Sequence, residues 1–127
     1  MKKPAISPRL SDMVRASRRV RSKLDGVSLE AYDNNWELQW IVERGVAIIS
    51  EASRHLPDEL KVRYPEIPWK LIAGIGNIIR HDYGDVSGPI IWKVVTADLP
   101  TLKAVCHLEL VSAMRAEGFN DDGLSDP

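Results

Sequence analysis

From Leu10 to Glu109 the apolar residues return every three or four positions, and no stretch alternates with period two for long enough to make a strand. A helix turns once in about 3.6 residues, so this spacing lines one side of a helix, whereas a half-buried strand needs every second residue. The fold class is therefore all-α, a bundle of helices joined by short loops. The 127 residues suffice for one domain and are too few for two of usual size. Residues 1–115 are expected to form that single domain. Residues 116–127 are expected to be a flexible acidic tail, since Glu117, Asp121, Asp122 and Asp126 stand there among Gly and Ser.

Leu10, Met13, Val14, Ser17, Val20 and Leu24 form the stripe of a first amphipathic helix, with Gly26 just past its end and Arg15, Arg18 and Arg19 off the stripe. Ser28 then caps a long second helix, predicted from Leu29 to about His55 and stopped by Pro57. It carries a broad apolar line (Leu38, Ile41, Val42, Gly45, Ile48, Ile49, Ala52, Leu56) and a second line of Trp36, Trp40, Arg44, Ala47 and Glu51. A helix with two such lines is expected to be buried on two sides, by its own domain and by another chain. Arg44 and Glu51 share the second face two turns apart, too far for an adjacent ion pair. A short turn from Pro57 ends at Tyr64-Pro65, and Pro68 opens a helix to about Asp82. Ser87-Gly88-Pro89 opens the last helix, in which Pro100 predicts a kink or break near Asp98, a residue placed to cap a second segment.

The single cysteine, Cys106, excludes an intrachain disulfide framework and a zinc site built on several thiolates. No apolar run approaches the ~20 residues of a membrane span, and no signal-peptide stretch follows Met1-Lys2-Lys3-Pro4, so a cytoplasmic protein without a membrane partner is expected. The formal net charge of -1 hides an asymmetry: eight of the 17 basic residues precede Asp25, opposed only by Asp12. Such a segment can contact phosphates or an acidic partner, but no aromatic residue interleaves it, and a solvated helix face is the simpler reading. A DNA-binding module is the least favoured class, because no helix-turn-helix reader is evident. The four tryptophans read as core and interface anchors. His55 reads as a helix-end residue, and His107 beside Cys106 does not face it, so a Cys-His nucleophile pair is not expected.

The chemistry concentrates in Ala73 to Gly84. On a helix, Ile72, Ile75 and Ile79 face the core with Tyr83 beside them, while Asn77 and His81 stack on one face and Arg80 projects between them and the side of Gly76 and Tyr83. A guanidinium donates two parallel hydrogen bonds to phosphate and an imidazole moves protons near neutral pH. Together with an amide they can activate a ribose 2′-hydroxyl and stabilise the charge of a pentacoordinate phosphorane without a metal. The same residues also suit helix-end capping, so the cluster alone is a weak signal. Gly74 and Gly76 each cost a helix about 1 kcal/mol relative to Ala, which implies a close approach to that backbone. They make no dinucleotide fingerprint, since Ile79 stands where a third glycine is needed.

Four blocks carry a family resemblance. Glu43-Arg44-Gly45-Val46-Ala47-Ile48-Ile49-Ser50-Glu51-Ala52 resembles the "ER…I-I-G-E-A" helix of the HepT-like members of the HEPN superfamily. Leu56-Pro57-Asp58-Glu59-Leu60 with Arg63-Tyr64-Pro65-Glu66-Ile67-Pro68-Trp69 resembles its linker and helix start. Asn77, His81 and Tyr83 match its Arg-Asn-x-x-x-His-x-Tyr signature, and Ile91-Trp92 through Thr96-Ala97-Asp98-Leu99-Pro100-Thr101-Leu102-Lys103 its closing segment. The match spans about residues 9–106.

The resemblance implies an up-and-down bundle of four to five helices that forms a homodimer, with the signature helices facing each other. It implies a toxin of a toxin–antitoxin module, a metal-independent endoribonuclease with no cofactor, acting on transfer or messenger RNA. The implied partner is a minimal nucleotidyltransferase antitoxin that neutralises the toxin by AMP transfer onto the signature tyrosine. Carried over, His81 is the catalytic histidine, Asn77 its polar companion and Tyr83 the modified tyrosine, with Arg44 and Glu51 as supporting polar residues. The signature arginine falls at Gly76, which has no side chain. Two expectations follow: Arg80 supplies the guanidinium from one turn later, or the site has decayed and the bundle binds nucleotides or partners.

Overall fold

The computed structural model describes residues 5–81 and 87–118. Helix α1 (Ser7–Leu24) is followed by α2 (Leu29–Asp33), α3 (Trp36–Ser53), α4 (Asp58–Val62), α5 (Trp69–Arg80), α6 (Ser87–Lys93), a π-helical turn (Val94–Asp98) and α7 (Leu99–Ala116). No strand occurs among the described residues, and no helix there is long and apolar enough to cross a membrane. The protein is an all-α bundle in which α3 packs between α1 and α5, and α7 covers the other side of α1.

The core takes Leu10, Met13 and Val20 from α1, Val42 and Val46 from α3, Ile72 and Ile75 from α5, and Leu99, Leu102 and Cys106 from α7. Burial holds the Cys106 thiol up at about 12, with Glu109 adding to the effect, so it is an inert core group. Gly26 closes α1 with φ of 72°, and Val27 N–H reaches back to the Leu24 carbonyl. The Ser7 hydroxyl donates to Glu117 Oε1 at 2.7 Å, tying the start of α1 to the end of α7.

The predicted long second helix is in fact two. Ser28 caps α2 by accepting from Ala31 N–H, but Asn35 takes an extended conformation and accepts from Leu38 N–H, capping α3 afresh. Gln39 Nε2 donates to the carbonyls of Tyr32 and Asp33, satisfying acceptors that the break would otherwise orphan. The buried arc of α3 is also rotated from the predicted one. Val46, Ser50 and Ser53 are buried, Ile48 is half-buried, and Ile41 is 46% exposed. Trp36 and Trp40, edge-to-face at 4.9 Å, are 59% and 67% exposed and so are not core, whereas Trp69 and Trp92 pack against it.

The irregularity before Pro100 is a π-helical turn rather than a break. Its extra residue per turn removes the need for the N–H that proline lacks. Asp98 stays in helical conformation and makes no capping bond; it lies 3.9 Å from Lys93 Nζ instead.

The approach to α5 is anchored on α7. Glu109 accepts from Arg63 and from the Tyr64 hydroxyl, each at 2.6 Å, and Trp69 Nε1 donates to the Tyr64 carbonyl. The hydrogen bond to Glu109 raises the Tyr64 pKa, burial adding to it. This clasp fixes where α5 begins, and with it the register of the signature residues.

Candidate active site

Helix α5 buries Ile72 and Ile75, half-buries Ile79, and turns Ala73 and Gly76 toward α3. There Ser50 bridges the helices, its hydroxyl donating to the Ala73 carbonyl at 3.0 Å and accepting from Gly76 N–H at 3.2 Å. A Cβ on Gly76 would stand 3.0 Å from Ser50 Oγ and 3.6 Å from Arg80 Nη1. The predicted close approach is therefore met at Gly76. At Gly74, by contrast, nothing lies within 4 Å.

The same geometry locates Arg80. Its guanidinium folds back over Gly76, on the flank from which a side chain at position 76 would emerge, and donates to Asn77 Oδ1. Asn77 is a neutral partner, and among the described residues no carboxylate pairs with Arg80. A guanidinium pre-positioned by a neutral amide keeps the fork geometry that suits an anionic phosphodiester. His81 ends the helix, with φ of -110° and ψ of 13°, so α5 stops at Arg80 rather than near Asp82. Its N–H still reaches the Asn77 carbonyl at 3.0 Å, which keeps the backbones of Asn77 and His81 one turn apart. Asn77, Arg80 and His81 are all exposed at this end of α5.

Tyr83 lies outside the described residues, as does Asp82. Arg44 and Glu51 do not hydrogen-bond to the cluster. Arg44 lines a groove against α1, and Glu51 accepts from His55 Nε2 at 3.1 Å, which lowers its carboxyl pKa. Among the described residues no group of three or more His, Cys, Asp or Glu side chains is placed to hold a metal ion.

The model of the family described as ribonuclease HepT-like matches residues 13–108, which include α5 and all three clustered residues. The chain belongs to the HepT-like ribonuclease family. A Methanocaldococcus jannaschii protein designated by name an RNase is 29% identical over 103 residues, covering 81% of this chain and 94% of its own. A Thermococcus cleftensis protein named "Probable ribonuclease HepT" is 32% identical over 94 residues, covering 74% of this chain and 86% of its own. No solved structure matches the chain significantly.

Within this HepT-like fold, the sequence singled out Asn77, Arg80 and His81 as candidates but not Ser50, which packs against their helix. A small hydroxyl residue inside an apolar helix and a glycine inside the next were the available signals, and only packing connects them.

Proposed function

We propose that the protein is a metal-independent endoribonuclease toxin. His81 takes the proton of a ribose 2′-hydroxyl, whose oxygen attacks the adjacent phosphorus, and the departing 5′-oxygen of the next nucleotide takes that proton back from the imidazolium. A 2′,3′-cyclic phosphate and a 5′-hydroxyl result. Arg80, held by Asn77 over Gly76, stabilises the charge that accumulates on the non-bridging oxygens. The observation that carries this reading is the Arg80 guanidinium, bonded to the neutral Asn77 and lying where the family's signature arginine would start.

Exposure of the Trp36–Trp40 pair at the start of α3 supports dimerisation there, since two large aromatic side chains on a small chain are costly to leave in water. The partner in this reading is a minimal nucleotidyltransferase. The Tyr83 phenol oxygen would attack the α-phosphorus of ATP, expelling pyrophosphate and losing its proton, and the attached phosphodiester would repel RNA. Purified protein should cut transfer or messenger RNA in chelator, His81→Ala should not, and protein co-expressed with the nucleotidyltransferase should gain the mass of AMP at Tyr83. RNA left intact by the wild type would favour the second reading, a decayed bundle that binds nucleotides or partners, for which the missing side chain at Gly76 speaks.

A further inference from the structure

Three arginines in the α1/α3 region, two of them from the basic N-terminal segment, line a single groove. Helices α1 and α3 cross closely at Gly45, where a Cβ would overlap Val20 Cγ2. Beside this crossing runs a groove of about 290 Å³ walled by Arg15 and Arg19 from α1 and Arg44 from α3, with Asp12 as its one carboxylate. The rest of its lining is apolar. All three arginines are exposed, and among the described residues none makes an ion pair or hydrogen bond. Arg15 and Arg19 are one turn apart, about 6 Å along the helix, close to the separation of consecutive phosphates on a single strand.

We propose that this groove carries the phosphodiester backbone of the RNA, away from the bond being cut. The identity of the ligand rests on the ribonuclease reading above; the groove's preference for a polyanion rests on its charge. Guanidinium forks on two walls hold phosphates, and an apolar floor accepts ribose and base edges without demanding a sequence. Helix α3 serves both places, turning Arg44 toward α1 and Ser50 toward α5.

The test uses a fluorescein-labelled 2′-O-methyl oligoribonucleotide, which cannot be cut through its 2′-oxygen, so binding is read independently of cleavage. Each phosphate contact removed should lower the slope of log affinity against log salt by about 0.7. Arg15→Ala/Arg19→Ala should therefore flatten it by about 1.4, weakening binding roughly fifty-fold at low salt and little near molar salt. Adding Arg44→Ala should flatten it further, and Arg15→Lys/Arg19→Lys should restore the slope. On cleavable RNA, Arg15→Ala/Arg19→Ala should raise KM and leave kcat unchanged. An unchanged slope, or no binding by the wild type, overturns the groove even if His81-dependent cleavage is found. Flattened binding in the absence of any cleavage supports the groove and removes the nuclease reading instead. An equal loss of poly-glutamate binding in the Arg variants marks a site for acidic protein and also overturns the proposal.

Discussion

Replacing Arg80 by Ala removes the guanidinium over Gly76 without touching the core, because Arg80 is exposed at the last turn of α5. Loss of one donor aimed at developing charge costs about 100- to 1,000-fold in rate, roughly 3–4 kcal/mol. Solvent exposure places Arg80 at the lower end, so about 100-fold is expected, or ~3 kcal/mol. The effect on folding is far smaller: a cation in the last turn of a helix is worth about 0.3–1 kcal/mol, a Tm change of no more than about 5 °C. Arg80→Lys keeps the charge but loses the fork that donates to Asn77, and should sit between the two. The decisive variant is Gly76→Arg/Arg80→Ala, which returns the arginine to the signature position. Its Cβ would be 3.0 Å from Ser50 Oγ, requiring a shift of a few tenths of an ångström. That costs about 1 kcal/mol, nearly offset by the better helix propensity of Arg over Gly. Single-turnover RNA cleavage in chelator should fall about 100-fold in Arg80→Ala and recover at least tenfold in the double variant. A loss under threefold in Arg80→Ala, or no recovery in a folded double variant, would refute the shifted arginine.

Three further outcomes are expected. Gly74→Ala, with open space around it, should stabilise the protein by about 0.5–1 kcal/mol in urea unfolding, whereas Gly45→Ala should destabilise it by about 1–2 kcal/mol, and less on a Val20→Ala background. Burial raises the Tyr32 hydroxyl to about 12 from 10.0 and the Cys106 thiol to about 12 from 9.0. Both groups keep their protons longer in the fold than in the unfolded chain, so stability is complete below pH 9 and drains as pH rises toward 12. Cys106→Ala should remove on the order of 4 kcal/mol of that loss at pH 12, and Tyr32→Phe the part that begins near pH 10. Trp36→Ala/Trp40→Ala should monomerise the protein in sedimentation at an unchanged monomer stability, each side chain contributing about 2 kcal/mol to association; a surviving dimer would place the interface elsewhere.

Periodicity made the helices legible, but it gives spacing rather than phase. Val46 and Ile41 are equally apolar, and only the direction from which α1 and α5 pack decides that the first is buried and the second half in water. The α2/α3 break escaped because the apolar pattern continues across Asn34-Asn35, while a side chain bonding its own neighbouring backbone overrides it locally. Pro100 signalled an irregularity correctly but not its form, since a π-helical turn leaves no mark in residue type. That the candidates Asn77, Arg80 and His81 lie within one turn at the end of α5 was readable from their spacing. The bridge from Ser50 to Gly76, the return of Arg80 over that glycine and the groove shared by Arg15, Arg19 and Arg44 all form between helices, where no local pattern reports them.

Cleavage chemistry tests the central claim most directly. RNA incubated with the wild-type protein in chelator, then examined at its new termini, should carry 2′,3′-cyclic phosphate and 5′-hydroxyl ends that are absent with His81→Ala. Ends bearing 3′-hydroxyl and 5′-phosphate, or the same cuts made by His81→Ala, would contradict it.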